Sequence, residues 1–466
     1  MFLKSFVSGG LIAGSTLALA VGAAAQGSSV FTQSACTSAR AGTGAANPCG
    51  DGSAVLYNPA GLALRPGAIS AGITGIWSQH TFTYDGTGQQ VERDPRIVPV
   101  PQGYATARFG DFGVGIGVFA PYGGSIDWPE SFEGRFVTYD QTLRAIYIQP
   151  TAAWAIVPGA LSVGGGPTLV RGSIDQSQRA DLSEVALPGT AFTFANFGIP
   201  RGTEFADVNL AGSGWGTGWH VGMMLEPVDW ISVGLRYMHG VTTDMEGDAT
   251  FRPIATGLVI PPGSPFAAPP FNAPVGAPID ALVQDAFNTT LADQGVESSV
   301  KWPAQAVIGT QIRPIPALSL LFDYHYFRWS SFDRLPIDFQ GQGQDTELVL
   351  GYNNAEAWRF GAEYGTGDGI RVRAGYIFNT AASPETGVSP ILPEGERNYY
   401  SFGLGYRFAG IQADAFYQHV DQVDRRGRVR SPTPGQDPRA LNIGVYDLEA
   451  HVFGITLSAQ PRFLNR

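Results

Sequence analysis

The chain has 466 residues, with 29 Lys and Arg against 40 Asp and Glu, and only 15% of its residues are charged. Soluble globular domains carry about 25% charged residues, and nucleic-acid binders need clustered cations. Both classes are therefore disfavoured, and no nucleic-acid partner is expected. After the first residues no stretch has the roughly 20 unbroken apolar residues of a membrane helix, yet 12% of residues are aromatic and 61 are glycine.

Residues 1–25 read as a secretory signal: Lys4 is the basic start, an apolar run follows, and Ala23, Ala24 and Ala25 precede Gln26. An exported chain with low charge, many aromatics and no spanning helix points to strands in lipid. In a bilayer every backbone polar group must be paired internally, so such strands must close into a barrel. Residues 26–66 do not read as strand. They are rich in Ala, Gly and Ser, and contain Cys36, Cys49 and the triplet Asn58, Pro59, Ala60. The oxidising periplasm favours a Cys36–Cys49 disulfide over two free thiols, and the spacing matches no metal pattern.

Residues 67–466 hold fourteen segments of period-two patterning. They lie near 67–76, 100–109, 112–122, 141–156, 160–173, 212–225, 230–243, 297–313, 317–331, 354–364, 370–380, 397–408, 411–421 and 448–458. The connections alternate short and long along the chain. The short ones include Gly110–Asp111 and Ala409–Gly410; the long ones include 174–211 and 244–296. Outer-membrane barrels have short periplasmic turns and longer extracellular loops. The expected fold is a fourteen-stranded antiparallel outer-membrane β-barrel with both termini in the periplasm. In 397–408 the row Tyr400, Phe402, Leu404, Tyr406, Phe408 opposes Ser401, Gly403, Gly405 and Arg407. That is the apolar-out, polar-in pattern of a wall in lipid, where an outward charge at the midplane costs about 2–4 kcal/mol. A barrel this wide cannot be filled by its own wall, so residues 26–66 are expected to plug it as an N-terminal hatch.

The stretch from Ala39 to Leu64, with Asn58, Pro59 and Ala60, resembles the N-terminal hatch of the FadL/TodX family of outer-membrane transporters. Phe112–Arg135 is similar to that family's third strand and following loop. Lys301–Pro314, Asp323–Asp333, Ala355–Tyr364 and Ile370–Asn379 look like later strands. The likeness spans nearly the whole mature chain. It departs at the carboxyl terminus, which runs past the last strand, and at the two cysteines. The resemblance implies passive uptake of long-chain fatty acids or aromatic hydrocarbons, with no cofactor. Ligand would be captured by loops, bound in the lumen, and released sideways where the third strand kinks beside Asn58, Pro59 and Ala60. The expected surroundings are outer-membrane lipid and lipopolysaccharide, and the expected state is a monomer.

Candidate residues follow from these two lines. Gly113, Gly115 and Gly117 alternate in one strand and either form a lateral gate or give space to the plug. Asn58, Pro59 and Ala60 are either an ordinary turn or the gate's neighbour. Arg236, Lys301, Arg359, Arg371 and Arg373, read as inward-facing, either hold a ligand carboxylate or pair with Asp323, Glu363, Asp414 and the plug. The loops carry Val185, Leu187, Phe192, Phe194, Phe197, Ile199, Leu258, Phe266 and Phe271, and helical spacing brings Leu282, Val283 and Phe287 together. This surface either captures ligand or packs the two loops on each other. Three rival functions fit the sequence less well. A general porin conflicts with a plug, an outer-membrane lipid hydrolase lacks an assignable nucleophile, and an adhesin would use only the loops. No catalytic residue and no metal site is assigned.

Overall fold

The computed structural model describes residues 29–465 except 86, 94–95, 184–192, 270–271, 289–290, 342–344, 367–368, 386–387, 392 and 428–443. The signal reading, the first residues of the plug, and Val185, Leu187, Phe192 and Phe271 lie outside the described residues. Among the described residues no helix is long and apolar enough to cross a membrane.

Fourteen strands form one antiparallel barrel. β1 is Ile69–Tyr84, β2 Ile97–Phe109, β3 Phe112–Asp127, β4 Asp140–Val157, β5 Leu161–Ala180 and β6 Ala206–Val228. The next four are each interrupted once: β7 is Ile231–Met238 and Val241–Pro253, β8 Gln294–Trp302 and Gln305–Ile315, β9 Leu318–Phe327 and Arg334–Phe339, and β10 Thr346–Val349 and Ala355–Gly365. β11 is Ile370–Asn379, β12 Arg397–Phe408, β13 Ile411–Gln422 and β14 Gly444–Ala459. β14 closes on β1 along all sixteen residues, from Ile69 opposite Ala459 to Tyr84 opposite Gly444. Closure leaves no edge to expose unpaired amides to lipid.

Each strand overlaps a segment expected from the alternation. The extracellular ends run further than expected: β6 begins at Ala206 and β7 reaches Pro253, so much of 174–211 and 244–296 is strand. Above the membrane both faces of a strand meet water, so the apolar row that marks a strand in the sequence disappears while pairing continues. Tyr400, Phe402, Leu404, Tyr406 and Phe408 are all exposed toward lipid, and Ser401 between them is buried.

The interruptions change which face points inward. In the first piece of β7, Ser232, Arg236 and Met238 are buried; after His239–Gly240 the buried row is Val241, Thr243 and Met245. β8 makes the matching shift at Pro303–Ala304, from Val300 and Trp302 to Gln305, Val307 and Gln311. The two shifts lie beside each other, with Val241 opposite Trp302 and Met238 opposite Gln305. One residue slips and the faces exchange. Lys301 is thereby turned outward and exposed, which corrects its reading as an inward ligand. That reading carried one phase through the whole of 297–313, whereas the wall slips at Pro303.

Candidate functional site: the lumen and the β2–β3 seam

Residues 29–66 lie inside the barrel and are almost wholly buried. Ser34 caps a short helix, Ala35–Ala39, by accepting from the Thr37 amide, and donates to Asp51 at 2.5 Å. The Cys36 and Cys49 sulfurs are bonded, tying this helix to the loop before the next, Ala54–Tyr57. A tight turn, Pro59–Ala63, follows, with Asn58 accepting from the Ala60 amide and proline at its first position. The Asn58 amide also donates to the Ala45 carbonyl at 2.6 Å and to the Met223 carbonyl of β6 at 3.1 Å. Asp323 of β9 accepts from the Gly44 and Ala45 amides at 2.8 and 3.0 Å. Burial pushes the Tyr57 phenol far above its ordinary range, so it stays a neutral donor to the Phe31 carbonyl at 2.7 Å.

Wall glycines permit this fit. A Cβ on Gly222 would strike Asn58, one on Gly164 would strike Pro59, and one on Gly113 would strike the Leu62 carbonyl. Gly115 and Gly117 face Val55 in the same way. Asn58, Pro59 and Ala60 therefore press on β5 and β6, whereas Leu62 and Val55 reach the glycines of β3.

The break in the β2–β3 ladder lies further along β3. β2 and β3 pair over seven positions, from Phe109 opposite Phe112 to Gly103 opposite Val118, and pairing then stops. Both strands continue with their other neighbours: β2 pairs with β1 up to Ile97, and β3 with β4 up to Asp127. At the point of separation the β3–β4 register slips between Phe119 and Tyr122, and Phe119, Ala120, Pro121 and Tyr122 are all buried. Alternation is lost because β3 turns into the lumen. Tyr122 reaches the Pro303 carbonyl of β8 at 2.8 Å.

Backbone groups released from the β2–β3 ladder still need partners. Residues 29–33 supply several. The Val30 amide donates to the Pro121 carbonyl at 2.7 Å, and Ser29 bridges Tyr122. The Gln33 amide group donates to the Ala120 carbonyl at 2.8 Å, while its oxygen accepts from the Ala120 amide at 3.2 Å. Gly113, Gly115 and Gly117 lie where β3 is paired on both sides. The ladder is intact at these three residues, which corrects their assignment as a lateral gate; their small size accommodates residues 55–62. Pro121, a poor residue for a central strand, was the sequence signal for the kink.

The lumen holds separate cavities. The extracellular one has about 670 Å³ of empty space, part of it open to solvent, and is lined mainly by apolar residues including Leu143, Ile174, Val300, Phe332 and Leu348. A deeper one of about 410 Å³ lies against Pro121, Phe31, Leu56 and Phe327, with Arg236, His325 and Arg359 in its wall. On the periplasmic side of residues 36–51 the space is polar and lined by Arg65, Arg313, Arg371 and Arg407.

The candidate cations divide accordingly. Arg373 binds Glu363 and Asp414, each at 2.6 Å, and Arg371 binds Glu363 at 2.7 Å. Arg236 donates to the Leu56 carbonyl at 2.9 Å and to Gln305. These three are occupied by structural partners. Arg359 is fully buried, with its guanidinium 4.3 Å over the Phe31 ring, and its Nε and Nη2 have no hydrogen-bond partner. It is the candidate best suited to hold an anionic group. Leu282, Val283 and Phe287 join Phe194, Ile199, Phe205, Ile260 and Phe266 in one apolar cluster. Leu282 and Phe287 lie in two single turns, Ile279–Leu282 and Gln284–Phe287, with Val283 between them, and the three pack the two loops together. Val283 is buried and the other two partly so, which corrects their reading as an exposed surface.

Residues 16–461 match the family described as outer membrane protein transport protein (OMPP1/FadL/TodX). A long-chain fatty acid transport protein of Salmonella typhi is 23% identical over 384 residues, covering 80% of this chain and 82% of that one. Outer membrane protein P1 of Haemophilus influenzae is 22% identical, covering 78% and 76%. Among solved structures, a Pseudomonas aeruginosa FadL homologue superposes with a TM-score of 0.78 at 19% identity, covering 93% of this chain and all of that one. The Pseudomonas putida toluene transporter TodX gives 0.66 at 16% identity, covering 95% and 100%. At these identities the structures show a shared fold.

Proposed function

Since the chain belongs to the OMPP1/FadL/TodX family and is an outer-membrane transporter of hydrophobic compounds, we propose that it carries long-chain fatty acids passively inward. In this reading residues 26–66 act as a hatch and ligand leaves sideways between β2 and β3. The protein works as a monomer in outer-membrane lipid and lipopolysaccharide. The observation that carries the reading is the seam itself: pairing ends at Gly103 and Val118, and Pro121 beside it lines the deeper cavity. A hydrophobic molecule gains nothing by entering water, and the downward route meets the packed segment and then an arginine-lined space. Release into the bilayer avoids both. The same packing argues against a general porin, and membership in a family of transport proteins sets aside the hydrolase.

Two measurements test this. Pairing sums on either side of the kink differ by one residue, since Phe119 faces Tyr147 and Tyr122 faces Ala145. Deleting Ala120 restores one register, straightens β3 and should reduce uptake to the level of cells lacking the protein, with a folded barrel retained. Undiminished uptake by that folded variant rules out exit at this seam. For the substrate, Arg359→Met should remove a charge-assisted contact, whose usual strength is about 1.5–3 kcal/mol, weakening oleate binding by roughly 10- to 150-fold. Binding of an alkane of equal length should not change. Equal losses for both would mean that Arg359 only supports the lumen, and a hydrocarbon becomes the better substrate.

A further inference from the structure

The outward faces of β12, β13, β14 and β1 change character at one level. Rising from the periplasm, β14 presents Leu457, Ile455 and Phe453, all exposed, and then His451, Glu449 and Asp447. On β13 the change falls at Tyr417 and His419, on β12 at Tyr400, and on β1 at Trp77. These positions are neighbours: Tyr400 faces His419, His419 faces His451, and His451 faces Trp77. Eight residues separate His451 from the end of β14, about 20 Å of height at the usual rise and tilt. The group therefore sits where the hydrocarbon layer meets the outer headgroups.

Three donors converge there. His451 Nε2 lies 3.4 Å from Glu449 Oε1, and His419 Nδ1 lies 3.6 Å from the same oxygen. All three ligand atoms are within 4.8 Å of one another. A tetrahedral zinc-like ion at its normal bond lengths holds its donors about 3.3 Å apart, so small side-chain adjustments would bring these donors into place. The other nitrogen of His451 is 2.6 Å from the Tyr417 hydroxyl, and the Trp77 ring packs on its face at 5.1 Å. Metal-bound histidines are ordinarily oriented through their second nitrogen in this way. Charge points the same way. Asp421 faces Glu449 across the ladder, Asp447 lies two residues on, and among the described residues no Lys or Arg forms an ion pair with these three acids.

We propose that His419, His451 and Glu449 form a surface site for a borderline divalent ion of the zinc type, at the outer boundary of the membrane. No sequence motif announces it, because its ligands come from two strands separated by a long loop. Nitrogen and carboxylate donors together favour zinc or cobalt over calcium or magnesium, which take oxygen ligands.

The test uses the untagged full chain, stripped with chelator, in detergent. Titration with Zn2+ should show one site, and Co2+ should give the visible spectrum of a four-coordinate ion. His419→Gln and His451→Gln should each abolish both signals. Tyr417→Phe should weaken binding by roughly 10- to 100-fold, the usual effect of a lost outer partner. His239→Gln, an exposed histidine elsewhere on the wall, should change nothing. Heat-modifiable migration identifies the folded variants. Unchanged zinc stoichiometry in the folded His419→Gln/His451→Gln double variant overturns the proposal, as does saturable binding of Ca2+ or Mg2+ with none of Zn2+.

Discussion

Two seams of one barrel have opposite designs. The β14–β1 seam pairs sixteen positions without a slip, and the β2–β3 seam pairs seven and then parts. β2 and β3 carry Pro99, Pro101 and Pro121, which have no amide to give to a ladder, whereas β1 and β14 carry no proline. What stands behind the two seams differs as well. Behind β14 and β1 the plug meets side chains of a wall whose ladder is already complete: the Ala35 amide donates to Thr456, and Ser70 and Thr74 donate to the Asp51 and Thr32 carbonyls. Behind β3, residues 29–33 take over backbone groups that β2 has released. A hydrogen-bonded wall in lipid opens only where something else satisfies its amides. An interrupted ladder need not shift its register: β4 and β5 skip three pairs around Pro150 and Pro167, yet the register is the same on both sides.

The comparison is sharpened most by making the same change in both seams. Deleting Ala120 removes a slip, whereas deleting Gly454 creates one in β14. Every residue above it would exchange faces, turning His451 and Glu449 inward and Val452 and Ala450 outward. The Gly454 deletion should abolish assembly, seen as loss of the heat-modifiable band, while the Ala120 deletion should keep it. Assembly of both would show that the seams are equally tolerant and that β14 closure is not decisive. A smaller effect is expected from Gly115→Val, which meets Thr106 and Val55 inside the paired part of β3. Overpacking of this kind costs about 1–3 kcal/mol, to be read as a lower urea midpoint. Transport per folded molecule should hold. A selective transport loss at unchanged stability would return the exit to Gly113–Gly117.

Much of the molecule was legible in the residues themselves. Number of strands and direction of the faces in β12 rest on period two, which is local, and the alternation of short and long connections follows from where those segments end. Rows such as Tyr400 to Phe408 need no partner to be recognised, because lipid on one side and a filled lumen on the other impose the pattern strand by strand. The non-strand character of 26–66 was equally plain from its composition.

Other features depended on which surfaces meet. Lys301 reads as inward along its own strand and is outward in the barrel, since adjacent slips in β7 and β8 shift both phases together. Gly113, Gly115 and Gly117 could yield a bend or a close approach, and contact with Leu62 and Val55 decides for the approach. Leu282, Val283 and Phe287 could face solvent or each other, and the loop between β5 and β6 covers them. Arg373 is held by two carboxylates, whereas Asp323, opposite Arg359 across the ladder, accepts from the Gly44 and Ala45 amides and makes no ion pair with it. Sequence alone determined the wall, because each strand answers separately to lipid and lumen. The parting of β2 and β3, the buried cation and the histidine pair were decided by tertiary structure, because each depends on contacts that no single strand's pattern specifies.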